Sequence, residues 1–360
     1  MTSMEAGNAV KKGILAAKPD AEVVVNPLAD GGEGTVDALI EGLGAEKIPV
    51  TVAGPLGEKV SCYYGFLEET KTAVMEMASA AGITLVTKKD PLRASTYGVG
   101  EMIADALKRG CKNFMIGIGG SATNDGGIGM LKALGFEFFD EDGNDVGEGA
   151  AALVKIEVIR TENKNPLLSG AKFQIACDVK NPLCGKQGAT YIFGPQKGVT
   201  EEQKEQVDEA MRHYADVTKE SLDCDFADCE GAGAAGGLGY AFLSYLAGEL
   251  IPGVELILQA TGLEEKMKNA DVVVTGEGRL DAQTVMGKAP AGVAALAKKY
   301  NAKVIAFAGS VASEAKVCNR AGIDAFFPIV RGVTTLEEAM KKENAMENIA
   351  ATAEQVFRLL

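Results

Sequence analysis

The chain opens with Thr2-x-x-Glu5, a capping box, and Ala6, Val10, Ile14 and Leu15 follow at helical spacing, which predicts an amphipathic helix over residues 3–17. Residues 21–25 are a short apolar run that reads as a strand ending in NPLADGGEG, and residues 33–43 return to helical periodicity. Helix, strand, loop, helix is the alternation of an α/β fold. From 48 to 77 the pattern changes to short alternating segments between turns, IPVTVAGPLGEKVSCYYGF and KTAVMEMA, as an antiparallel meander requires. Farther on, periodicity predicts a helix over 98–109, a buried strand over 113–118, the loop GGSATNDGG and a helix over 128–134. Strands near 172–177 and 190–193 and a charged helix over 201–220 come next, before the acidic LDCDFADCEG breaks the pattern.

From residue 254 the alternation returns as helix 254–260, strand 271–275, a glycine loop, helix 288–299, strand 303–308, helix 313–320 and strand 324–329. The simplest architecture is two α/β domains. A doubly wound parallel-sheet domain from residues 1–47 and 250–360 is interrupted by an inserted mixed α/β domain over 48–249, and the active-site cleft is expected between them.

Composition narrows the function. Fifty acidic against 36 basic residues give a net charge of −14, the wrong field for nucleic acid or an anionic membrane surface. Residues 231–248 carry no charge, but their glycine content fits a buried, close-packed helix after a glycine loop rather than a membrane span. The single histidine, His213, reads as a surface residue on the polar side of a helix, which excludes a Ser-His-Asp triad and a histidine-based zinc site. Seven cysteines, with no C-x-x-C and no signal-peptide pattern at the start, read as reduced and cytoplasmic. The 44 glycines exceed the usual level of roughly 7% while Pro stays at 11, so the excess belongs to turns and ligand loops.

Five such loops stand out: ADGGEG (29–34), GIGGSATNDGG (117–127), CDVKNPLCG with FGPQKG (177–198), GAGAAGGLG (231–239) and TGEGRLDAQTVMGKAP (275–290). Several lie where a strand ends and a helix begins, the edge at which backbone N–H groups meet anionic ligands, although any one of them alone is as readily a tight turn. No Walker P-loop is present, since Gly287-Lys288 is followed by Ala289. A dinucleotide fingerprint does occur, Gly117-Ile-Gly119-Gly-Ser-Ala122 with Asp140 downstream. Asn124, Asp125, Gly126 and Gly127 argue there for an extended loop instead of a helix, so a nicotinamide-dependent dehydrogenase is the weaker reading.

The loops share carboxylates and amides beside glycine: Asp30, Glu33, Asn124, Asp125, Asp178, Asn181, Glu277 and Asp281, with Lys197, Arg279 and Lys288 as cations. Gly31, Gly32, Gly119, Gly120, Ser121, Thr123 and Gly276 supply the backbone and hydroxyl donors around them. Oxygen ligands without His or Cys suit Mg²⁺, and phosphoryl transfer needs this inventory of N–H cradles, cations, Mg²⁺ and an acid to take the alcohol proton.

GGEGTVDAL, GIGGSATNDGGIGML, CDVKNPLCG with FGPQKG, GAGAAGGLG with PGVELIL, and TGEGRLDAQTVMGKAPAGVA, in this order along nearly the full chain, closely resemble the bacterial glycerate kinase family. The resemblance implies ATP-dependent phosphorylation of D-glycerate with Mg²⁺ in the cytoplasm, mostly to 2-phosphoglycerate, with the 3-phosphate as the other product. It also implies a flavodoxin-like or Rossmann-like domain carrying an inserted α/β domain. On this reading ATP lies against the glycine loops, Asp178 or Asp281 serves as Mg²⁺ ligand or base, and Lys197, Arg279 and Lys288 neutralise phosphate and the glycerate carboxylate. One departure stands out. Family members usually begin with a strand and a loop like APDSFKGS before the helix that here starts at Thr2, so an upstream-extended chain is expected to be the more active. A non-catalytic relative binding a hydroxy acid or its phosphate is the alternative, and the sequence leaves a homodimer open.

Overall fold

The computed structural model describes residues 1–26, 40, 44–285 and 289–360. Backbone contacts divide the chain into two compact units, residues 45–253 and residues 1–44 with 254–360.

The unit of residues 45–253 is built on a six-stranded mixed sheet in the order β1-β2-β3-β4-β7-β8. The meander is β1 (Glu46–Ala53), β2 (Lys59–Leu67) and β3 (Thr72–Glu76), paired antiparallel with Val52 opposite Val60 and Phe66 opposite Ala73. From β3 onward the sheet is parallel: β4 (Asn113–Gly117), β7 (Lys172–Ala176) and β8 (Glu249–Ile251) each add in that sense. The short β5 (Glu137–Phe139) and β6 (Val158–Arg160) make a separate antiparallel pair. Alternate residues Phe114 and Ile116 of β4 meet Met102, Ile103 and Ala106 of the Tyr97–Lys108 helix and Phe242 of the Leu238–Leu246 helix in one core. The parallel strands therefore send their carboxyl ends to the same edge, where polar loops follow.

The other unit holds a parallel sheet in the order β11-β10-β9: β9 (Val272–Leu280), β10 (Lys303–Val311) and β11 (Ala325–Pro328). The central strand shows why both faces are covered. Val304, Ala306 and Ala308 of β10 pack with Val293, Ala294 and Ala297 of the Ala289–Lys299 helix, whereas Ile305 and Phe307 pack with Ala9 and Ile14 of the Ser3–Ala17 helix and Ala353 of the Lys342–Phe357 helix. A strand buried on both sides reads as a continuous apolar run, which KVIAFA is.

The Thr2 capping box forms as expected, with Thr2 Oγ1 accepting from Glu5 N. Four expectations are corrected. Residues 21–25 pair in no ladder; Ala21 and Val23 pack onto the core beside Ile305, and Val25 lies against Gly7, so the apolar run serves packing rather than strand pairing. Residues 190–193 belong to a helix, Ala189–Lys197: only helical spacing puts Thr190, Gly194 and Lys197 on one buried face, and that overrides the β preference of Thr-Tyr-Ile-Phe. The glycine loop expected after residue 275 is instead the second half of β9, held in register with β10 from Gly276 opposite Phe307 to Leu280 opposite Val311. His213 is only partly exposed, because its Nε2 lies 2.8 Å from the Ile156 carbonyl oxygen. The helix expected over 33–43 lies, apart from residue 40, outside the described residues.

Candidate functional site

The loop after β4 carries four buried polar residues in succession or nearly so, Ser121, Thr123, Asn124 and Asp125. Gly119 and Gly120 are exposed, and everything from Ser121 to Leu131 is buried. Asp125 lies beneath the surface with both oxygens engaged: Oδ2 accepts from Thr96 N and Thr96 Oγ1, each at 2.8 Å, and from Gly129 N at 3.3 Å, while Oδ1 accepts from Gly127 N at 3.1 Å. Burial pushes its carboxyl up from the ordinary range, against the pull of those donors. Thr96 passes the contact on, its Oγ1 accepting from Met130 N at 2.9 Å. Gly127 has φ near +80° and caps the Ile128–Ala133 helix, a conformation that favours glycine.

Lys197, at the last turn of the Ala189–Lys197 helix, is 2% exposed. Its Nζ donates to Ser121 Oγ at 2.6 Å and to the Thr123 carbonyl at 2.7 Å. Burial drives the ammonium down to about 7, with the charge of Asp125 pulling the other way. The same helix receives Asn124, whose Nδ2 donates to Thr190 Oγ1 at 3.0 Å. Asn124 Oδ1 and Thr123 Oγ1 are buried with no hydrogen-bond partner among the described residues. A third element clamps the loop: Gly126 N donates to the Gly236 carbonyl at 2.9 Å, and a Cβ on Gly236, whose φ is +70°, would overlap the Thr123 carbonyl oxygen.

After β7 the loop is open. Asp178 is exposed and its Oδ1 accepts from Gly253 N at 2.9 Å. Asn181 Nδ2 donates to the Gln187 carbonyl at 2.7 Å, and Asn181 O accepts from Gly233 N at 2.9 Å. Asp208 braces this loop, both carboxylate oxygens accepting from Gly185 N at 2.9 Å.

In the other unit, Gly276, Glu277 and Arg279 lie on β9, and Asp281 follows its end. Glu277 accepts from the buried Thr284 hydroxyl. Asp281 Oδ1 caps the Ala282–Val285 turn by accepting from Gln283 N at 2.9 Å, and Asp281 N donates to Thr284 Oγ1 at 3.1 Å. The Arg279 side chain is 67% exposed, with Nε 3.8 Å from Asp281 Oδ2.

The structure thus gathers Gly119, Gly120, Ser121, Thr123, Asn124, Asp125 and Lys197 into one cluster, and Gly276, Glu277, Arg279 and Asp281 into another. Asp30, Gly31, Gly32, Glu33 and Lys288 lie outside the described residues. Among the described residues no group of three or more His, Cys, Asp or Glu is placed to hold a metal ion. Sequence reasoning missed Thr96, Thr190 and Thr284, the hydroxyls that tie the acids and amides down. Thr96 had a signal, standing just before a predicted helix, but nothing local pairs it with Asp125. All seven cysteines are free, and no helix among the described residues is long and apolar enough to cross a membrane.

Comparison with known proteins supplies the rest. The family model described as the glycerate kinase family matches residues 1–360. A glycerate kinase of Halalkalibacterium halodurans is 45% identical over 360 residues, covering 98% of this chain and 95% of its own, and the glycerate 2-kinase of Escherichia coli is 45% identical over 359 residues, covering 98% and 94%. A crystal structure from Salmonella typhimurium LT2 ascribed to glycerate kinase 2 superposes with a TM-score of 0.91 at 42% identity, covering 100% of this chain and 94% of that one. With the family model matched from end to end and relatives this similar across nearly the whole length, the chain belongs to the glycerate kinase family.

Proposed function

We propose that the protein transfers the terminal phosphoryl group of ATP to a hydroxyl of D-glycerate, and that the product is 2-phosphoglycerate, the regiochemistry carried in the name of the Escherichia coli relative. The observation that carries this reading is the loop after β4. It offers exposed Gly119 and Gly120 at the carboxyl edge of a parallel sheet while its acidic and amide side chains are turned to its own support. Backbone N–H groups at such an edge suit an anionic ligand without a side-chain cation.

The buried members of the cluster do different work from the exposed ones. Asp125, Asn124 and Thr123 fix the loop, and Asp125 is fully buried with its oxygens facing the backbone and Thr96 rather than a ligand. Asp178, Asn181, Glu277, Arg279 and Asp281 are partly or fully open and remain the proposed substrate-facing groups, together with Asp30, Gly31, Gly32, Glu33, Gly276 and Lys288.

Mg²⁺ needs only one or two carboxylates when phosphates and water complete its shell, so the oxygen-only donor set fits it. Asp281 or Asp178 would hold it, and when bound it would neutralise charge on the phosphate oxygens. Arg279 is free to turn toward a phosphate or carboxylate because its contact with Asp281 is long and exposed. A cytoplasmic, reducing setting suits seven unpaired thiols.

The test is incubation with ATP, MgCl₂ and D-glycerate, followed by phosphorus NMR. A phosphomonoester doublet is expected from the single proton beside a 2-phosphate, and a triplet would move the product to the 3-phosphate. Binding of glycerate by calorimetry with no phosphomonoester at all would replace the kinase by a non-catalytic binding protein.

A further inference from the structure

Ser121 and Lys197 form a buried hydroxyl–amine pair at the root of the exposed Gly119-Gly120 tip, and neither neutralising a phosphate nor filling a core accounts for it. A phosphate cation must reach its ligand, but Lys197 is enclosed and points at protein oxygens. A core position would hold an apolar side chain, since burying an ammonium is costly. Among the described residues only two oxygens receive its protons, and a neutral amine satisfies both. In the neutral form one N–H would still reach the Thr123 carbonyl, while the nitrogen lone pair would accept the Ser121 hydroxyl proton across the same 2.6 Å separation.

We propose that Ser121 takes the proton of the acceptor alcohol and hands its own to Lys197, so that this pair, rather than a carboxylate, is the base of the phosphoryl transfer. The inference rests on the kinase reading. In the step, the alcohol oxygen bonds to the terminal phosphorus of ATP as the bond from that phosphorus to the bridging oxygen breaks. ADP leaves with that electron pair, the alcohol proton moves to Ser121 Oγ, and the Ser121 proton moves to Nζ to give an ammonium. Asp125 is the charged group acting on Lys197, and its carboxylate steadies the ammonium once formed. Burial keeps Lys197 near neutral at about 7, so the amine is available at physiological pH. Tyr214 feels the same carboxylate but is held protonated by burial, and Lys89 approaches only the neighbouring Gly198. Asp125 cannot replace the pair, because it is fully buried with its oxygens turned to Thr96, Gly127 and Gly129.

The experiment compares wild type, Ser121→Ala, Lys197→Met, Lys197→Arg and the Ser121→Ala/Lys197→Met double variant across pH 5.5–9. Wild-type kcat should rise through about pH 7 and level off. Each single variant should lose about 10²-fold or more in kcat and lose the rising limb. The double variant should be no slower than Lys197→Met, as members of one unit behave. Arg, which keeps the charge but cannot release a proton, should not restore the rate; restoration would make Lys197 a mere cation and overturn the proposal. Persistence of the limb in Ser121→Ala, a substitution that removes only the hydroxyl, would overturn it as well. A second readout needs no turnover: carbon-13 NMR of labelled lysine should show one side chain titrating near pH 7 and absent from Lys197→Met, and a Lys197 signal titrating near 10 would refute the pair. Failure of wild type to make product at any pH, by contrast, would strike the kinase reading itself.

Discussion

The segments 118–127 and 275–285 look alike in sequence, each setting an acid beside glycine, yet they are stabilised in opposite ways. The first is tied from inside: Asp125 reaches Thr96, Asn124 reaches Thr190, Lys197 reaches Ser121 and Thr123, and Gly126 reaches Gly236. The second is held by a strand ladder, so that its side chains on one flank stay open, Arg279 most of all. A loop with an interior scaffold offers backbone to a ligand, and a ladder offers side chains. Mutations should separate the two: changes in the first should cost stability and activity together, and changes in the second activity alone.

The largest effect is expected from Asp125→Ala. It orphans the amides of Thr96, Gly127 and Gly129, which should lower unfolding stability by about 3–5 kcal/mol in urea titrations. A loss under about 1 kcal/mol would show that the interior scaffold is not what holds the loop. Next is Gly236→Ala, which combines a left-handed backbone with overlap on the Thr123 carbonyl and should cost about 2–3 kcal/mol, read as a fall in Tm.

Asp281→Asn should sharpen the contrast from the other side. Its Oδ1 can still cap Gln283 N, so stability should move by less than about 0.5 kcal/mol while kcat falls by about two to four powers of ten if the acid holds metal or substrate. A loss of rate below about threefold would remove Asp281 from the site.

The pH dependence of stability gives a smaller, signed effect. Folded Lys197 sits near 7 and an unfolded lysine near 10.5, so between those values the unfolded chain binds more protons and stability contributed at this residue rises with pH. Wild type should therefore gain on Lys197→Met by about 1 kcal/mol per pH unit between pH 7.5 and 9 in parallel urea titrations. The smallest effect is Arg279→Gln, with unfolding stability unchanged within about 0.5 kcal/mol because the side chain is exposed, and a KM for ATP or glycerate raised about tenfold.

Much of this was readable in advance where the signal is local. The Thr2 capping box, the meander from Ile48 and the apolar run of β10 follow from spacing alone, and the Asx-Gly pair before Ile128 marks an extended loop correctly. The misses share a cause. Thr190 to Phe193 are helical because Thr190 and Lys197 must both face the β4 loop, and Gly276 to Arg279 are strand because β10 continues beside them, neither of which is encoded nearby. Candidate residues were found by type, but their division into supports and open groups was not. Asp125 and Asp281 are both acids next to glycine-bearing turns, and only tertiary partners make one a buried brace and the other an accessible carboxylate.

The close seat of the Ser3–Ala17 helix against the Lys342–Phe357 helix, where a Cβ on Gly13 would overlap the Ala350 carbonyl, has a consequence in time. A ribosome, adding about 5–20 residues per second, makes the Ser3–Ala17 helix long before its Lys342–Phe357 partner. Residues 45–253 are complete long before, with their own sheet and core. Nascent chains halted beyond residue 253 should therefore yield a protease-resistant fragment of that unit while the amino-terminal helix is still cut. The apolar face of that helix waits without its Lys342–Phe357 cover until those residues are translated, and the burden of keeping it from aggregating falls on the cell rather than on the fold.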